Sequence, residues 1–326
     1  MSIMNEQNHI IYHGKFAIKQ LTREFTIDLM RHSYFLSARQ RGDVLNHGLR
    51  YEMFKAVKLF PRATRLVAYD TEEKNAIGFL YLEENTNWLY TIEYVFVDPN
   101  YRKMGLGTKL VNYAITLAKE KRAKKINLNV YRTSRAIDLY KRLGFREIGN
   151  TLLAQSYLSQ SALSRVVKRA IVGQGCLTKL SMRKRDQLFE LETNSRRNRE
   201  MLFSIFQRCM NQKWIDYFEV NSDNLINGSR HVWQPRFFKD VLINNSADSF
   251  ALLFNLPFSH KATIEFYRIE DGNTPFILEN LLRILVRRGI SFAQISFVNP
   301  GDNVVSNWFK EKNMMIFNLV TMGKTL

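Results

Sequence analysis

The feature that most constrains this chain is a strongly β-prone run that leads through a glycine-containing loop into a helix-patterned segment. Residues 88–97 (WLYTIEYVFV) are rich in β-branched and aromatic residues, which favours a strand. The loop of residues 98–108 (DPNYRKMGLGT) follows, and Leu110, Ala114 and Leu117 then recur at helical spacing. A strand that passes directly into a helix is typical of α/β domains, so this segment predicts a mixed α/β fold.

The loop itself predicts an anion site. Gly105 and Gly107 allow the backbone to turn tightly and to approach a ligand closely. The amides of the turn and of the helix N-terminus converge on one point, where Arg102 and Lys103 add positive charge. A pyrophosphate suits this geometry best. The spacing is neither G-x-G-x-x-G nor a Walker loop, which disfavours a dinucleotide or ATP.

The rest of the first half completes the pattern of one domain. Strands are predicted at residues 15–21, 65–69, 76–82, 126–130 and from 145 onward, and helices within residues 23–39, 51–60, 107–121 and 136–143. This order predicts an antiparallel front and a β-helix-β rear. Residues 151–175 are interpreted as an insertion and residues 177–182 as a closing strand, which puts the domain boundary near Lys184.

Charge and composition narrow the class of protein. The chain of 326 residues has a net charge of +18, and residues 101–200 hold 23 Lys and Arg against 7 Asp and Glu. Such a block attracts phosphates, nucleic acid or acidic protein, although a solvated surface is an equally good interpretation. Two cysteines and the absence of a signal pattern favour a cytoplasmic protein. No apolar run reaches the roughly 20 residues of a membrane helix, and the scattered histidines predict no metal site.

Two motifs resemble those of the GCN5-related N-acetyltransferase (GNAT) superfamily. Residues 97–107 carry the pattern V-x-P-x-x-R-x-x-G-x-G, which is similar to motif A of that family. Residues 130–145 (VYRTSRAIDLYKRLGF) are similar to motif B, whose core reads A-x-x-L-Y-x-x-x-G-F, and Thr133 departs from the Asn often found there. The resemblance covers about residues 60–150. It implies the acyl-CoA N-acyltransferase fold, acetyl-CoA as cosubstrate and no metal.

The resemblance also implies roles for the matching residues. In this family the acceptor amine attacks the thioester carbonyl directly in a ternary complex. Backbone groups of Phe96 and Val97 would pair with the pantetheine arm at a splay in the sheet, and the Val97 amide would stabilise the oxyanion. Tyr140 would protonate the departing CoA thiolate, although its position also suits a core aromatic. The residues expected to hold the pyrophosphate are Arg102, Lys103, Met104, Gly105, Leu106, Gly107 and Thr108.

Glu93 is the predicted general base, because it is the one acid within residues 88–97. A lysine-type amine has a free pKa of roughly 10.4 and is protonated at neutral pH, so that its proton must be removed before attack. A solvated strand carboxylate is the alternative interpretation of Glu93. If the fold is that of the family, the aromatic and charged residues of segment 23–60 are expected to form the acceptor wall. Tyr34, Tyr51 and Phe54 suit such a lining, and they suit a core equally well.

The second half repeats the rear of the first. Strands are predicted at residues 261–269, 292–298 and 315–321, with helices at 276–288 and 304–312 between them. Aligning the helices puts Phe309 over Tyr140, and Phe309 has no proton to donate. The loop of residues 270–275 (EDGNTP) has two acids and no basic residue, so it would repel a pyrophosphate. We therefore predict a catalytic GNAT domain at residues 1–184 and a degenerate, non-catalytic copy at 185–326, with an unrelated α/β domain as the alternative.

The sequence thus predicts an acetyl-CoA-dependent N-acetyltransferase that acts on a primary amine of a protein or a small molecule. One alternative is a non-catalytic, CoA-binding regulatory module in which Glu93 and Tyr140 are dispensable. Another is a nucleic-acid-binding protein that uses the basic block, although no RNP-like or helix-turn-helix pattern is present. The basic stretch of residues 165–199 favours an acceptor that is acidic or associated with RNA, and no membrane partner.

Overall fold

The structure is a computed structural model that describes residues 10–13, 15–20, 64–72, 76–158, 188–192, 194–228, 239–255, 260–269, 274–297 and 303–326. These residues pack into two compact units. Unit 1 holds those within Met1–Asn129, Arg135–Arg146 and Met322–Leu326. Unit 2 holds those within Val130–Ser134 and Glu147–Thr321.

Unit 1 is a sheet with helices packed on it. Its strands are β1 (Ile10–His13), β2 (Phe16–Gln20), β3 (Thr64–Asp70), β4 (Ala76–Thr86), β5 (Leu89–Val97) and β6 (Lys125–Tyr131), of which the last two residues belong to unit 2. Its helices are α1 (Leu106–Glu120) and α2 (Ala136–Arg142). The strands lie in chain order; β1 to β5 pair antiparallel, and β6 pairs parallel to β5. The predicted antiparallel front and β-helix-β rear are confirmed.

The helix α1 packs on unit 1 through a continuous apolar stripe. Leu106, Leu110, Ala114 and Leu117 recur every three or four residues and are all buried. They lie on β3, β4 and β5, whose residues on that face include the buried Leu82. The helix that follows β5 in the sequence therefore packs back on the sheet of unit 1 and forms its apolar core with β3, β4 and β5.

Unit 2 repeats this layout, and five helices lie within its described residues. Its strands are β7 (Arg146–Tyr157), β8 (Leu188–Glu190), β9 (Lys239–Asn244), β10 (Ser249–Asn255), β11 (Lys261–Arg268), β12 (Phe292–Phe297) and β13 (Met315–Thr325). Its helices are α3 (Arg196–Cys209), α4 (Gln212–Phe218), α5 (Leu225–Gly228), α6 (Thr274–Arg287) and α7 (Asn303–Glu311). The strand order is β13-β7-β12-β11-β10-β9-β8, and β11 and β12 form a parallel pair.

The two faces of the sheet of unit 2 are covered differently. On one face, Ala262, Ile264 and Phe266 of β11 join an apolar core with α6 and α7. On the other face, Phe206 of α3 contacts the Tyr267 ring edge to face, with ring centroids 5.1 Å apart. Both faces are thus buried, so unit 2 is a three-layer arrangement.

The turns after α2 and α7 have the same geometry. Gly144 and Asn313 both adopt left-handed φ values, 84° and 52°, a conformation that Gly and Asn tolerate best. The Phe145 amide donates to the Tyr140 carbonyl (3.0 Å), and the Met314 amide donates to that of Phe309 (2.9 Å). This agrees with the alignment of Phe309 over Tyr140 that the sequence suggested.

Neither unit is one continuous stretch of sequence. The strand β7 follows α2 directly, yet from Glu147 onward it belongs to unit 2 and pairs antiparallel with β12. Residues 322–326 end β13 but belong to unit 1, where the Leu326 amide donates to the Lys124 carbonyl (2.9 Å). The units are therefore not two consecutive stretches of sequence.

Some sequence predictions were wrong, and others concern residues outside the described ranges. Residues 151–157 are not part of an insertion, because β7 continues to Tyr157; residues 152–155 are buried on both faces, which removes the alternation that identifies a strand. Three strands and three helices of unit 2, β8 to β10 and α3 to α5, were not predicted. The predicted helices within residues 23–60, the closing strand at 177–182 and the boundary near Lys184 lie outside the described residues, so the division at residue 184 stays a prediction.

Candidate active site

The strand β5 carries a bulge in its pairing with β4. Phe79 pairs with Phe96, but Tyr81 pairs with Glu93, so two residues of β5 lie opposite Leu80 alone. A bulge of this kind bends a strand and redirects its groups, and it is frequent beside active sites. Glu93 lies on one side of this bulge and Val97 on the other.

Beyond the bulge, β5 and β6 separate. Their parallel pairing begins at Leu89 with Lys125 and ends at Ile92 with Leu128, although β5 continues to Val97 and β6 to Tyr131. Main-chain groups at the carboxyl end of β5 therefore face a gap in the sheet. An extended ligand with amide groups could add to the sheet there by main-chain hydrogen bonds.

The strand register decides which main-chain groups face this gap. The Asp98 amide donates to the Ile77 carbonyl (2.8 Å), so Asp98 is in a hydrogen-bonded pair and Val97, one residue earlier, is not. The amide and carbonyl of Val97 therefore point away from β4, whereas those of Phe96 point towards β4. Of the two residues expected to bind pantetheine through their backbone, the register directs Val97 to the gap; pantetheine binding by Phe96 remains an untested expectation.

The loop after β5 is held by its own polar groups. The Asp98 carboxylate accepts a hydrogen bond from the Asn100 amide (2.9 Å) and so caps the short 3₁₀ turn Pro99–Tyr101. Arg102 Nε donates to the Val97 carbonyl (3.1 Å). Arg102 therefore ties the start of the loop to its middle, a contact that the sequence did not predict.

The end of the loop opens on the N-terminus of α1. Gly105 has a φ of 78° and no side-chain cap, and the first helical hydrogen bond runs from the Lys109 amide to the Gly105 carbonyl (3.0 Å). The amides of Leu106, Gly107 and Thr108 precede that bond and have no partner within the helix. A Cβ built at Gly105 meets no atom within 4 Å. This open arrangement of donors at a 15-residue helix suits an anion.

The two sequence motifs meet at Gly107. A Cβ built there would lie 3.5 Å from Leu139 Cδ2 and 3.9 Å from Val97 Cγ2. The first turn of α1, the end of β5 and α2 therefore lie close together, with no room for a larger residue at Gly107 without contact to both. Tyr140, which follows Leu139 on α2, is buried and contacts the Phe145 ring at a centroid distance of 6.0 Å. Burial raises the pKa of Tyr140 to about 12, which keeps its hydroxyl protonated at neutral pH.

Glu93 is buried rather than solvated, contrary to the alternative interpretation of this residue. Burial, with a smaller contribution from the nearby charge of Glu83, raises the pKa of Glu93 well above its ordinary value of 4.5. It pairs across the strands with Tyr81, whose neighbour in turn is Arg65. The Arg65 guanidinium lies over the Tyr81 ring, 5.7 Å from its centroid.

The residues around Glu93 were not identified from the sequence. Arg65 and Asn127 are both buried polar residues in strands. The available signal was the alternation of polar and apolar residues in β6 (KINLNVY), where every second residue from Lys125 is polar.

Within the described part of the chain, no three His, Cys, Asp or Glu side chains are grouped so that they could hold a metal. No described helix is long and apolar enough to cross a membrane.

Comparisons with known proteins identify the family. The model of the acetyltransferase (GNAT) family matches residues 27–145. A peptidyl-lysine N-acetyltransferase, YjaB, of Salmonella typhimurium is 32% identical over 110 residues, which are 33% of this chain and 69% of that protein. An uncharacterised N-acetyltransferase of Methanocaldococcus jannaschii is 39% identical over 80 residues, which are 22% of this chain and 34% of that protein. The chain belongs to the GNAT acetyltransferase family, although it spans only about a third of the second relative.

Two solved structures share the fold over nearly the whole chain. A GCN5-related N-acetyltransferase from Sphaerobacter thermophilus superposes with a TM-score of 0.61 at 12% identity and covers 97% of each chain. A tandem GNAT protein from the clavulanic acid biosynthesis pathway has a TM-score of 0.51 at 12% identity, covering 95% of this chain and 98% of its own. At this identity the likeness concerns the fold alone, and it shows that the tandem GNAT fold extends over both halves.

Proposed function

We propose that this protein transfers the acetyl group of acetyl-CoA to a primary amine at a site in unit 1. The observation that carries the proposal is the gap between β5 and β6, which lies beside the open N-terminus of α1. A ligand with both an extended amide chain and a pyrophosphate fits such a combination. The loop from Arg102 to Thr108 would hold the pyrophosphate, and the Val97 amide would face the amide chain in the gap.

The residues of unit 1 supply the proton transfers of this reaction. Acetyl-CoA, when bound, provides a thioester that an amine can cleave. Glu93 takes one proton from the ammonium group of the acceptor, and its raised pKa makes it a stronger base than an exposed carboxylate. The amine nitrogen then forms a bond to the acetyl carbon while the carbon–sulfur bond breaks. Tyr140 donates its proton to the departing sulfur, and the second proton of the amine restores the tyrosine hydroxyl or passes to water.

The nature of the acceptor is part of the proposal. The relative from Salmonella typhimurium is named for acetylating peptidyl lysine, which supports a primary alkyl amine as the reacting group. The expectation that the acceptor is acidic or associated with RNA, like the expectation of a cytoplasmic location, stays a prediction. Residues 165–187, which carry much of that basic stretch, lie outside the described residues. That unit 2 is non-catalytic is likewise part of the proposal, supported by Phe309 at the position of Tyr140.

A glycine substitution tests the anion site. Gly105→Glu would put a carboxylate at the start of α1, in the space where the loop amides point, and we expect it to weaken acetyl-CoA binding at least 100-fold. Gly289→Glu is the matched control, because Gly289 also has a left-handed φ (74°) and open space around its Cβ but lies in unit 2. Titration calorimetry with acetyl-CoA measures the affinity of both variants. Release of free thiol in the presence of a panel of primary amines measures turnover. Unchanged binding by Gly105→Glu would refute the site, and binding without turnover on any amine would favour the regulatory module.

A further inference from the structure

One face of the sheet in unit 1 is polar where a packed face would be apolar. A Cβ built at Gly78 would lie 3.4 Å from Leu110 of α1, so strand alternation directs Leu82 towards α1 and Tyr81 and Glu83 away from it. Strand pairing extends this second face across β3, β5 and β6. The members of this polar face are Arg65, Tyr81, Glu83, Asn85, Thr91, Glu93 and Asn127.

A directed chain of hydrogen bonds runs across this polar face. Asn85 Nδ2 donates to Thr91 Oγ1, and Thr91 Oγ1 donates to Asn127 Oδ1 (2.9 Å). All three residues are more than nine-tenths buried, and Asn127 has no exposed surface at all. Asn127 Oδ1 is thereby paired within the chain. Asn127 Nδ2, also buried, then has no acceptor among the described residues.

A buried donor without an acceptor is uncommon in folded proteins. Leaving it unpaired destabilises the folded state, so such groups are usually paired or serve a ligand. Asn127 is next to Thr91 across the strands, and Glu93 is the following residue of β5 on the same face. Residues two apart on one face of a strand are separated by roughly 7 Å. The unpaired amide therefore lies within the length of a small molecule from the predicted base.

The internal repeat provides the same strand positions in unit 2 for comparison. The Lys125 amide donates to the Trp88 carbonyl, and the Phe292 amide donates to the His260 carbonyl, both at 3.0 Å. The parallel pairs β5–β6 and β11–β12 therefore begin in the same way, with Leu89 opposite Lys125 and Lys261 opposite Phe292. Aligning Leu89 with Lys261 puts residues 91–93 over residues 263–265. Both segments read Thr-Ile-Glu.

The counterparts in unit 2 are Glu265 for Glu93 and Gln294 for Asn127. The glutamate is thus retained in unit 2, whereas the basic loop and the tyrosine are not. Glu265 accepts a hydrogen bond from the Tyr267 hydroxyl (2.8 Å), and Gln294 Oε1 accepts one from Gln155 Nε2 (2.9 Å). The Tyr267 ring in turn stacks on Phe250 with centroids 4.8 Å apart.

In unit 2 the counterparts of Glu93 and Asn127 thus hydrogen-bond to side chains of the same unit, although Ser296 Oγ beside Glu265 is buried without a partner among the described residues. In unit 1 it is Asn127 Nδ2 itself that has no partner among them. From this contrast we infer that Asn127 is a specificity-determining residue that donates to an oxygen atom of the acceptor. The acceptor class is a small amine that carries a hydroxyl or carbonyl oxygen a few bonds from its nitrogen, such as an amino alcohol or an amino sugar. This inference rests on the proposed acetyl transfer and names its substrate class.

The inference separates such amines from a lysine side chain, which has only methylene groups beside its amine. A site built to hydrogen-bond an oxygen discriminates strongly against an analogue that lacks it, because its buried donor is then left unpaired.

The test compares matched pairs of amines. Ethanolamine with propylamine, and glucosamine with cyclohexylamine, differ mainly in their oxygen atoms, and an acetyl-accepting lysine peptide completes the panel. For the wild-type protein we expect kcat/KM to be at least tenfold higher for one oxygenated amine than for its partner. In Asn127→Leu, which is similar in volume but has no donor, we expect that ratio to fall to within about threefold. Gln294→Leu is the control, with an unchanged ratio.

Each failure is distinguishable. If acetyl-CoA does not bind the wild-type protein, the proposed function fails as a whole. If acetyl-CoA binds and plain amines or the lysine peptide react as well as the oxygenated ones, the inference about Asn127 is wrong while acetyl transfer stands. If Asn127→Leu does not fold, Asn127→Ser, which shortens the side chain but stays polar, is used; an unchanged ratio in that folded variant overturns the inference.

Discussion

At the scale of single residues, burial raises the pKa of two side chains, and the consequence for the proposed chemistry differs between them. It raises the pKa values of both Tyr140 and Glu93. For Tyr140 this preserves a proton that an acid catalyst must donate, whereas for Glu93 it increases the affinity for a proton that a base must accept. The same burial makes the ionised form of Glu93 unfavourable in the folded protein.

Glu93→Gln should therefore stabilise the protein while it removes activity. A carboxyl whose pKa is raised on folding keeps its proton to higher pH in the folded protein than in the unfolded chain, so stability declines as pH rises above 4.5. Glutamine cannot ionise, so the free energy of unfolding of the variant should exceed that of wild type increasingly from about pH 5 upward. Below pH 4.5 the two should converge. Denaturant unfolding between pH 4 and 9 measures this, with the exposed Asp138→Asn as control; a difference independent of pH would contradict it.

Tyr140→Phe should separate binding from turnover. The ring and its contact with Phe145 are retained, so we expect acetyl-CoA affinity to change less than twofold and kcat to fall about 100-fold or more. Tyr113→Phe, a buried tyrosine of α1, is the control with near-normal kcat. Because the pKa of Tyr140 is about 12, its ionisation should not reduce the wild-type rate between pH 7 and 10. A Tyr140→Phe enzyme with normal kcat would disprove the acid role.

At the scale of elements, the approach of β4 to β5 fixes the end of β5. A Cβ at Gly78 would lie 2.9 Å from the Phe96 carbonyl oxygen, a main-chain atom. Gly78→Ala should therefore displace β5 next to Val97 and weaken acetyl-CoA binding about tenfold. Gly149→Ala is the matched control, since its Cβ would lie 2.7 Å from the Trp214 side chain of unit 2. It should lower stability by about 1–3 kcal/mol without a change in affinity, as measured by calorimetry and thermal unfolding.

The strand and the helix of the site were largely predictable from the sequence, but the gap between β5 and β6 was not. The composition of β5 and the helical spacing of α1 identified both elements to within one residue at either end. The bulge opposite Leu80 and the end of the β5–β6 pairing depend on contacts between strands, so a single strand sequence does not contain them. Asn127 is a further example, because only the hydrogen bond from Thr91 reveals which end of its amide is unpaired.

The unpredicted hairpin of β9 and β10 was missed for a different reason. Its turn is built by one side chain, since Asn244 Oδ1 accepts hydrogen bonds from the amides of Asp248 and Ser249, both at 3.1 Å. The polar run NNSADS between two β-prone segments is a turn signal of the kind that favours a hairpin. The sequence therefore does contain a signal for this hairpin.

At the scale of the whole molecule, the last strand stabilises unit 1. Met322 is fully buried, and Lys324 Nζ donates to the Leu143 carbonyl at the end of α2 (2.6 Å). Removing residues 322–326 should lower the melting temperature by several degrees and speed hydrogen exchange in α2, which carries Tyr140. Lys324→Met keeps the strand but not this bond and should have a smaller effect, of about 1 kcal/mol. Equal melting temperatures for the truncated and full chains would show that the strand is not needed.

This placement of the last strand has a consequence for how the enzyme is made. A ribosome synthesises the residues of the candidate site early, and it synthesises residues 322–326 only after the whole of unit 2. A nascent chain halted anywhere between Glu147 and Thr321 would contain Glu93, Tyr140 and the entire loop, yet it would lack residues 322–326 of unit 1. Translation must therefore pass through the second unit before the first can reach its final stability.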